Sequence, residues 1–152
     1  MLALSPIEPA ERLRLEKRAA KGRRWFFCVA VLSIANSMAA SVGSSLSFVT
    51  GLGLTYLVFV PLPEPGSDRQ MLAYVLCVLA SGLFAVFGDL ARRSTIGFLI
   101  GMALYAADAL LFVVYRQWLG LGFHLLALAS MYSGYTAFRR LASPIDAALA
   151  PR

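Results

Sequence analysis

The sequence predicts an all-α integral membrane protein: a bundle of four transmembrane helices, a short re-entrant or interfacial helix, and a basic N-terminal juxtamembrane helix. Three observations predict it. Of 152 residues, 59% are hydrophobic and 14% charged, whereas soluble domains carry about 25% charged residues. The apolar residues fall in long unbroken runs, and a bilayer core of about 30 Å takes roughly 20 apolar helical residues to cross. The basic residues, which set a net charge of +6, sit at the ends of those runs. That placement orients a membrane protein and does not suggest a nucleic-acid partner.

Residues 1–24 read as a basic juxtamembrane segment. Ser5-Pro6 resembles a helix start, and Arg12, Arg14, Lys17, Arg18, Lys21, Arg23 and Arg24 outnumber Glu8, Glu11 and Glu16. Lys17, Arg18, Lys21, Arg23 and Arg24 lie nearest the apolar run and are candidates to meet anionic lipid headgroups, at about 1 kcal/mol per basic side chain. From Trp25 to Val60 there are 36 residues without a charge. One straight helix of that length would measure about 54 Å, so it must break, and the serine-rich Ser41–Ser47 is the place. The first crossing is then Trp25–Ala40. Phe48–Val60, at 13 residues, is short for a crossing and suits a re-entrant or interfacial helix. Pro61–Gln70 is a proline-rich loop. Met71–Leu90, Ile96–Tyr115 and Leu119–Phe138 supply three more crossings, so the membrane domain spans 25–140 and 141–152 is a short tail. A cleaved leader ending at the small residues Ser37–Ser41 is disfavoured, because its charged start is long and the apolar run continues beyond it.

Basic residues choose between topologies. Four crossings with the N-terminus inside put 12 basic residues on the inner side and only Arg69 and Arg116 outside. Five crossings would split them 9 to 5. The steeper asymmetry is the preferred one, so both termini are expected on the cytoplasmic side. A re-entrant Phe48–Val60 then needs protein around its backbone.

Gly97 and Gly101 form a G-x-x-x-G, a spacing that lets helix backbones approach closely. Ser33, Ser37 and Ser41, and Ser130 and Gly134, repeat the small-residue spacing. Asp89, with Arg92 and Arg93 three and four residues on, is a local ion pair. Asp108 is different. It lies about 12 Å along the helix from Arg116 and shares a face with Tyr105, Gly101 and Gly97, so it points at protein. His124 lies about 9 Å along the next helix from Trp118. The turn between them is short, which puts Asp108 and His124 at similar depths on adjacent helices. Asn36 sits near mid-bilayer, and Tyr105 and Tyr132 add hydroxyls. Intramembrane charge costs about 2.5–3.5 kcal/mol on insertion scales. The polar group is therefore either a functional site or a hydrogen bond locking two helices, and both readings stand open here.

Several chemistries are disfavoured. One histidine cannot supply bis-histidine haem or a multi-histidine metal site. Cys28 and Cys77 form no C-x-x-C pair. Ser81-Gly82 with His124 has no protease spacing to support it, and Gly51-Leu52-Gly53 lacks the strand of a nucleotide motif. No catalytic residue, metal or cofactor is expected.

The stretches RRWFFCVAVLSIANS, FVTGLGLTY, FGDLARR, GMALYAADALLF and WLGLGFHLLAL cover about half the chain. In order and spacing they resemble a group of small bacterial polytopic membrane proteins with no assigned activity. The resemblance implies a bacterial inner membrane. Similar sequences are expected to carry a polar or acidic residue just after GLGLTY, where this chain has Val58-Phe59-Val60. The leading expectation is a non-enzymatic accessory or scaffold protein packing with itself or a larger membrane protein. The alternatives are a small transporter or channel using Asp108, His124 and Asn36, and an intramembrane enzyme or lipid-handling protein.

Overall fold

Helix-forming runs between short breakers dictate the architecture. The computed structural model describes residues 7–41, 51–54 and 66–142. Among these are four helices and no strand: α1 (Pro9–Ser41), α2 (Asp68–Leu90), α3 (Thr95–Val114) and α4 (Trp118–Leu141). The expected helix start at Ser5-Pro6, the break after Ser41, most of Phe48–Val60, the loop up to 65 and the tail from 143 lie outside the described residues. Each turn has a local cause. Ser67 Oγ accepts the Gln70 amide at the start of α2, and Ser94 Oγ accepts the Ile96 and Gly97 amides at the start of α3. Proline begins α1, where its missing N–H costs nothing. Between α3 and α4, Arg116 takes φ 55°, and the Arg116 and Gln117 amides donate to the carbonyls of Val113 and Phe112. This is a Schellman closure with arginine where glycine is usual.

Two helices, α2 and α3, are long and apolar enough to cross a membrane, with mean hydropathies of 2.2 and 2.1. The sequence reading expects four; α1 and α4 do not meet that measure. The reason lies in their composition. The first half of α1 is charged, and its second half carries Ser33, Asn36 and Ser37. Helix α4 carries His124, glycines, serines and tyrosines. Ser33, Ser37 and His124 are buried, while Leu72, Leu79, Leu104 and Val114 are exposed. A few polar groups thus lie inside the bundle, among buried aromatics, while many large aliphatic side chains face outward.

Each helix packs on its neighbours in the ring order α1, α2, α3, α4. Phe26, Val29, Phe84, Phe98, Tyr105, Ala127 and Met131 fill the middle, with Phe26 edge-on to Phe98 at 5.6 Å and Phe84 edge-on to Tyr105 at 5.7 Å. Glycines set the helix spacing. A Cβ on Gly134 would stand 2.6 Å from the Gly22 Cα, so α1 and α4 touch backbone to backbone there. A Cβ on Gly101 would meet Phe26 at 2.6 Å, and one on Gly97 would meet Leu90 at 2.8 Å. The G-x-x-x-G is therefore used within the chain.

No break separates the basic segment from the apolar run expected as the first crossing. Residues 9–24 are the first half of α1, whose 33 residues make a rod of about 50 Å. This half runs beside the end of α4. Leu15 and Ala19 pack on Ala137, Arg18 donates to Ser133 Oγ at 2.9 Å, and Glu11 pairs with Arg140 at 3.5 Å. Helix α4 accordingly continues past Arg139-Arg140 to Leu141.

The Gly22–Gly134 contact yields a first test. Overpacking a filled site costs about 1–3 kcal/mol, so Gly134→Leu should lower the thermal midpoint in detergent by several degrees. Gly122→Leu is the control, because a Cβ there meets nothing within 4 Å. Equal midpoints for the two variants would contradict the close contact.

Candidate functional site

Asp108 and His124 come together between α3 and α4. His124 Nε2 lies 3.0 Å from Asp108 Oδ2, and the side chains are 0% and 9% exposed. The tight turn at Arg116 brings the helices back antiparallel, and Gly120 makes room. A Cβ there would stand 2.2 Å from a Phe112 ring carbon, and the Phe112 ring packs on His124 at 4.4 Å. On the other side Tyr105 stacks on the imidazole at 4.3 Å and 16°. Asp108 shares the buried face of α3 with Tyr105, Gly101 and Gly97.

The carboxylate has further partners. The amide of Gly53 donates to Oδ2 at 2.6 Å, and that of Leu54 donates to Oδ1 at 2.9 Å. These two adjacent amides converge on the carboxylate, whose charge strengthens both hydrogen bonds. The glycines make the approach feasible. A Cβ on Gly53 would meet Phe112 at 2.7 Å, and one on Gly51 would meet the Ser33 Cα at 3.1 Å. The Leu52 amide donates to Ser33 Oγ at 2.9 Å. Residues 51–54 are thus wedged between α1 and α3, with three consecutive amides bound by side chains of those two helices.

His124 Nδ1 is 2.9 Å from the Gly120 carbonyl oxygen and Nε2 faces the Asp108 carboxylate, so both ring nitrogens are engaged. Ser81 does not reach this site. It neighbours Cys77 at 4.0 Å, in a second polar group where Ser37 Oγ lies 2.8 Å from Cys77 Sγ and donates to the Ser33 carbonyl at 2.9 Å.

Of the other candidates, Asn36 is half-buried beside Gly51, with its Cβ 3.4 Å from where a Gly51 Cβ would be. Tyr105 is fully buried and its hydroxyl has no hydrogen-bond partner among the described residues. Tyr132 is 59% exposed and pairs with the Tyr135 ring at 6.3 Å, away from Asp108. Lys17, Lys21 and Arg24 are exposed, Arg23 is half-buried, and Arg18 is held by Ser133. Cys28 is exposed. The amides of Gly53 and Leu54, the Ser33–Ser37–Cys77 group and Phe112 were not singled out by sequence. The one available signal was the glycine pair flanking Leu52 in a charge-free stretch. A shallow crevice lined by Gly53, Leu111, Phe112, Tyr115 and Gln117 lies beside the site. Comparison with known protein families, curated proteins and solved structures finds no match.

The contact predicts coupling. Asp108→Asn and His124→Gln should each destabilise the protein in detergent, and their losses should be non-additive by at least about 0.5 kcal/mol in a double-mutant cycle. Additive losses would mean that the two side chains do not interact.

Proposed function

We propose that this chain is a multi-pass membrane protein with four crossings, a short inserted segment at Phe48–Val60 and cytoplasmic termini. Its role is that of a non-enzymatic scaffold that packs with a second copy or with a larger membrane protein. The observation that carries the reading is the use of the site's own groups. Both Asp108 oxygens and both His124 nitrogens are bound by this chain's atoms in a nearly closed position. A catalytic carboxylate and imidazole would need an atom left over to touch substrate. A buried pair whose nitrogens and oxygens are all engaged fits a lock between helices, as polar residues often provide in membranes. The apolar exterior supports placement in lipid, since Leu72, Leu79, Leu83, Val86, Leu104 and Val114 have no other cover. The clustering of basic residues supports the orientation. Glu11 contacts Arg140, and Arg23 lies within electrostatic reach of Arg92, so the basic start of α1, the α2–α3 turn and the end of α4 share one side. The resemblance to small bacterial polytopic proteins favours a bacterial inner membrane.

A second reading, a small transporter with a polar path at Asp108, His124 and Asn36, is favoured by one observation. The Tyr105 hydroxyl is buried without a partner among the described residues, next to the paired groups.

Photo-cross-linking in native membranes separates the readings. A photoreactive residue at Leu79 on α2 or Leu104 on α3, both exposed, should give a discrete protein adduct, and a C-terminal reporter should be active only in the cytoplasm. Adducts to lipid alone would overturn the scaffold role. A C-terminal alkaline phosphatase fusion active in the periplasm would overturn the four-crossing topology.

A further inference from the structure

The α2–α3 turn meets α1 in a groove where positive charge exceeds negative. Gly88 makes the groove: a Cβ there would stand 2.7 Å from the Phe27 ring, so Phe27 lies flat against α2. The Arg92 guanidinium stands over that ring, 5.9 Å from its centroid. Asp89 is shared, 3.7 Å from Arg92 Nε and 3.6 Å from Arg93 Nη2. Arg23 is one turn before Phe27 and on the same face of α1, close enough to Arg92 for the charges to repel. Partial burial, and secondarily Arg92, hold the Arg23 guanidinium below its ordinary range. One carboxylate thus serves two guanidiniums, Arg92 and Arg93, and these exposed pairs are worth little in water.

We infer that this groove binds the phosphate of an anionic phospholipid through Arg23, Arg92 and Arg93. The inference rests on the membrane-spanning reading above. Three geometric facts converge on that ligand. Arg92 and Arg93 lie in the turn between α2 and α3, and Arg23 lies on the adjoining stretch of α1, the level at which lipid headgroups would lie. Guanidinium forks match phosphate oxygens in pairs, and a phosphate between Arg23 and Arg92 removes their repulsion. One turn beyond Phe27 on the same face of α1, Val31 is exposed, which gives the acyl chains an apolar surface beside the arginines. Lys17, about 9 Å further along α1 from Arg23, lies outside it. The headgroup contact is therefore concentrated at three arginines instead of being spread along the basic segment.

Native mass spectrometry of the full chain in a neutral detergent tests this, with phosphatidylglycerol and phosphatidylcholine of matched chains as probes. The chain should retain phosphatidylglycerol in preference. Arg23→Gln and Arg92→Gln should each cut that preference about fivefold, and Arg14→Gln, at an exposed position nine residues before Arg23, should leave it unchanged. If Arg23→Gln fails to fold, Arg93→Gln carries the same test, since that side chain is 78% exposed. No preference in the wild-type chain, or an equal loss with Arg14→Gln, would overturn the site. Displacement of the lipid by millimolar inorganic phosphate would assign the groove to a free anion and overturn the lipid. Alkaline carbonate extraction of native membranes separates the two premises. Release of the chain would reject the membrane-spanning reading, whereas a retained chain without lipid preference would reject the headgroup site alone.

Discussion

The Asp108 carboxylate organises the bundle because it answers the hydrogen-bonding demand of an inserted backbone. Residues 51–54 run between helices, and three of their amides are bound by side chains. An unpaired amide in hydrocarbon costs several kcal/mol. Ser33 Oγ takes the Leu52 amide, and Asp108 takes those of Gly53 and Leu54. His124 then supplies the carboxylate with a side-chain donor, and the Gly120 carbonyl holds the imidazole. A chain of single contacts therefore links α1, the inserted segment, α3 and α4. Removing the carboxylate leaves two amides and a ring nitrogen without partners at once.

Small residues make that arrangement sterically feasible. In the proposed membrane setting the hydrophobic effect supplies little drive between helices, and close packing and polar contacts carry more of the association. Gly22 on Gly134, Gly101 on Phe26, Gly88 on Phe27 and Gly120 on Phe112 bring the elements within contact distance. Hydroxyls bonded back to their own helix, Ser33 to Val29 and Ser37 to Ser33, place polar atoms inside while keeping them satisfied. The exterior is left apolar. The same logic places the arginines at the ends, where their charge can remain solvated.

The meeting of Asp108 and His124 was legible because it depends on two things a sequence displays, equal distance from a turn and a turn too short to separate two helices. Its third partner was not. The amides of Gly53 and Leu54 carry no side-chain signature, and only the glycines hint that a backbone passes close by. The division of the basic segment from the first crossing followed the change of charge at Trp25. Helical hydrogen bonds do not register that change. Residues 9–24 are rich in good helix formers, and the single interior glycine, Gly22, is needed for packing on α4. The G-x-x-x-G was legible as a close contact, but its partner could not be read, because spacing does not say which helix fills it. The hydropathy of α1 and α4 falls below that of α2 and α3 because the charged first half of α1 and the serines, glycines, tyrosines and His124 of α4 lower it.

Hydrogen exchange at the Gly53 and Leu54 amides tests this account most directly. Both should be protected in the wild-type chain in detergent. In Asp108→Leu they should exchange about tenfold faster or more, as expected when buried amides lose a partner worth about 1–3 kcal/mol, while the amides of Trp118–Leu141 keep their protection. Equal protection of Gly53 and Leu54 in the two proteins would show that something other than the Asp108 carboxylate holds the inserted segment, and would contradict the account.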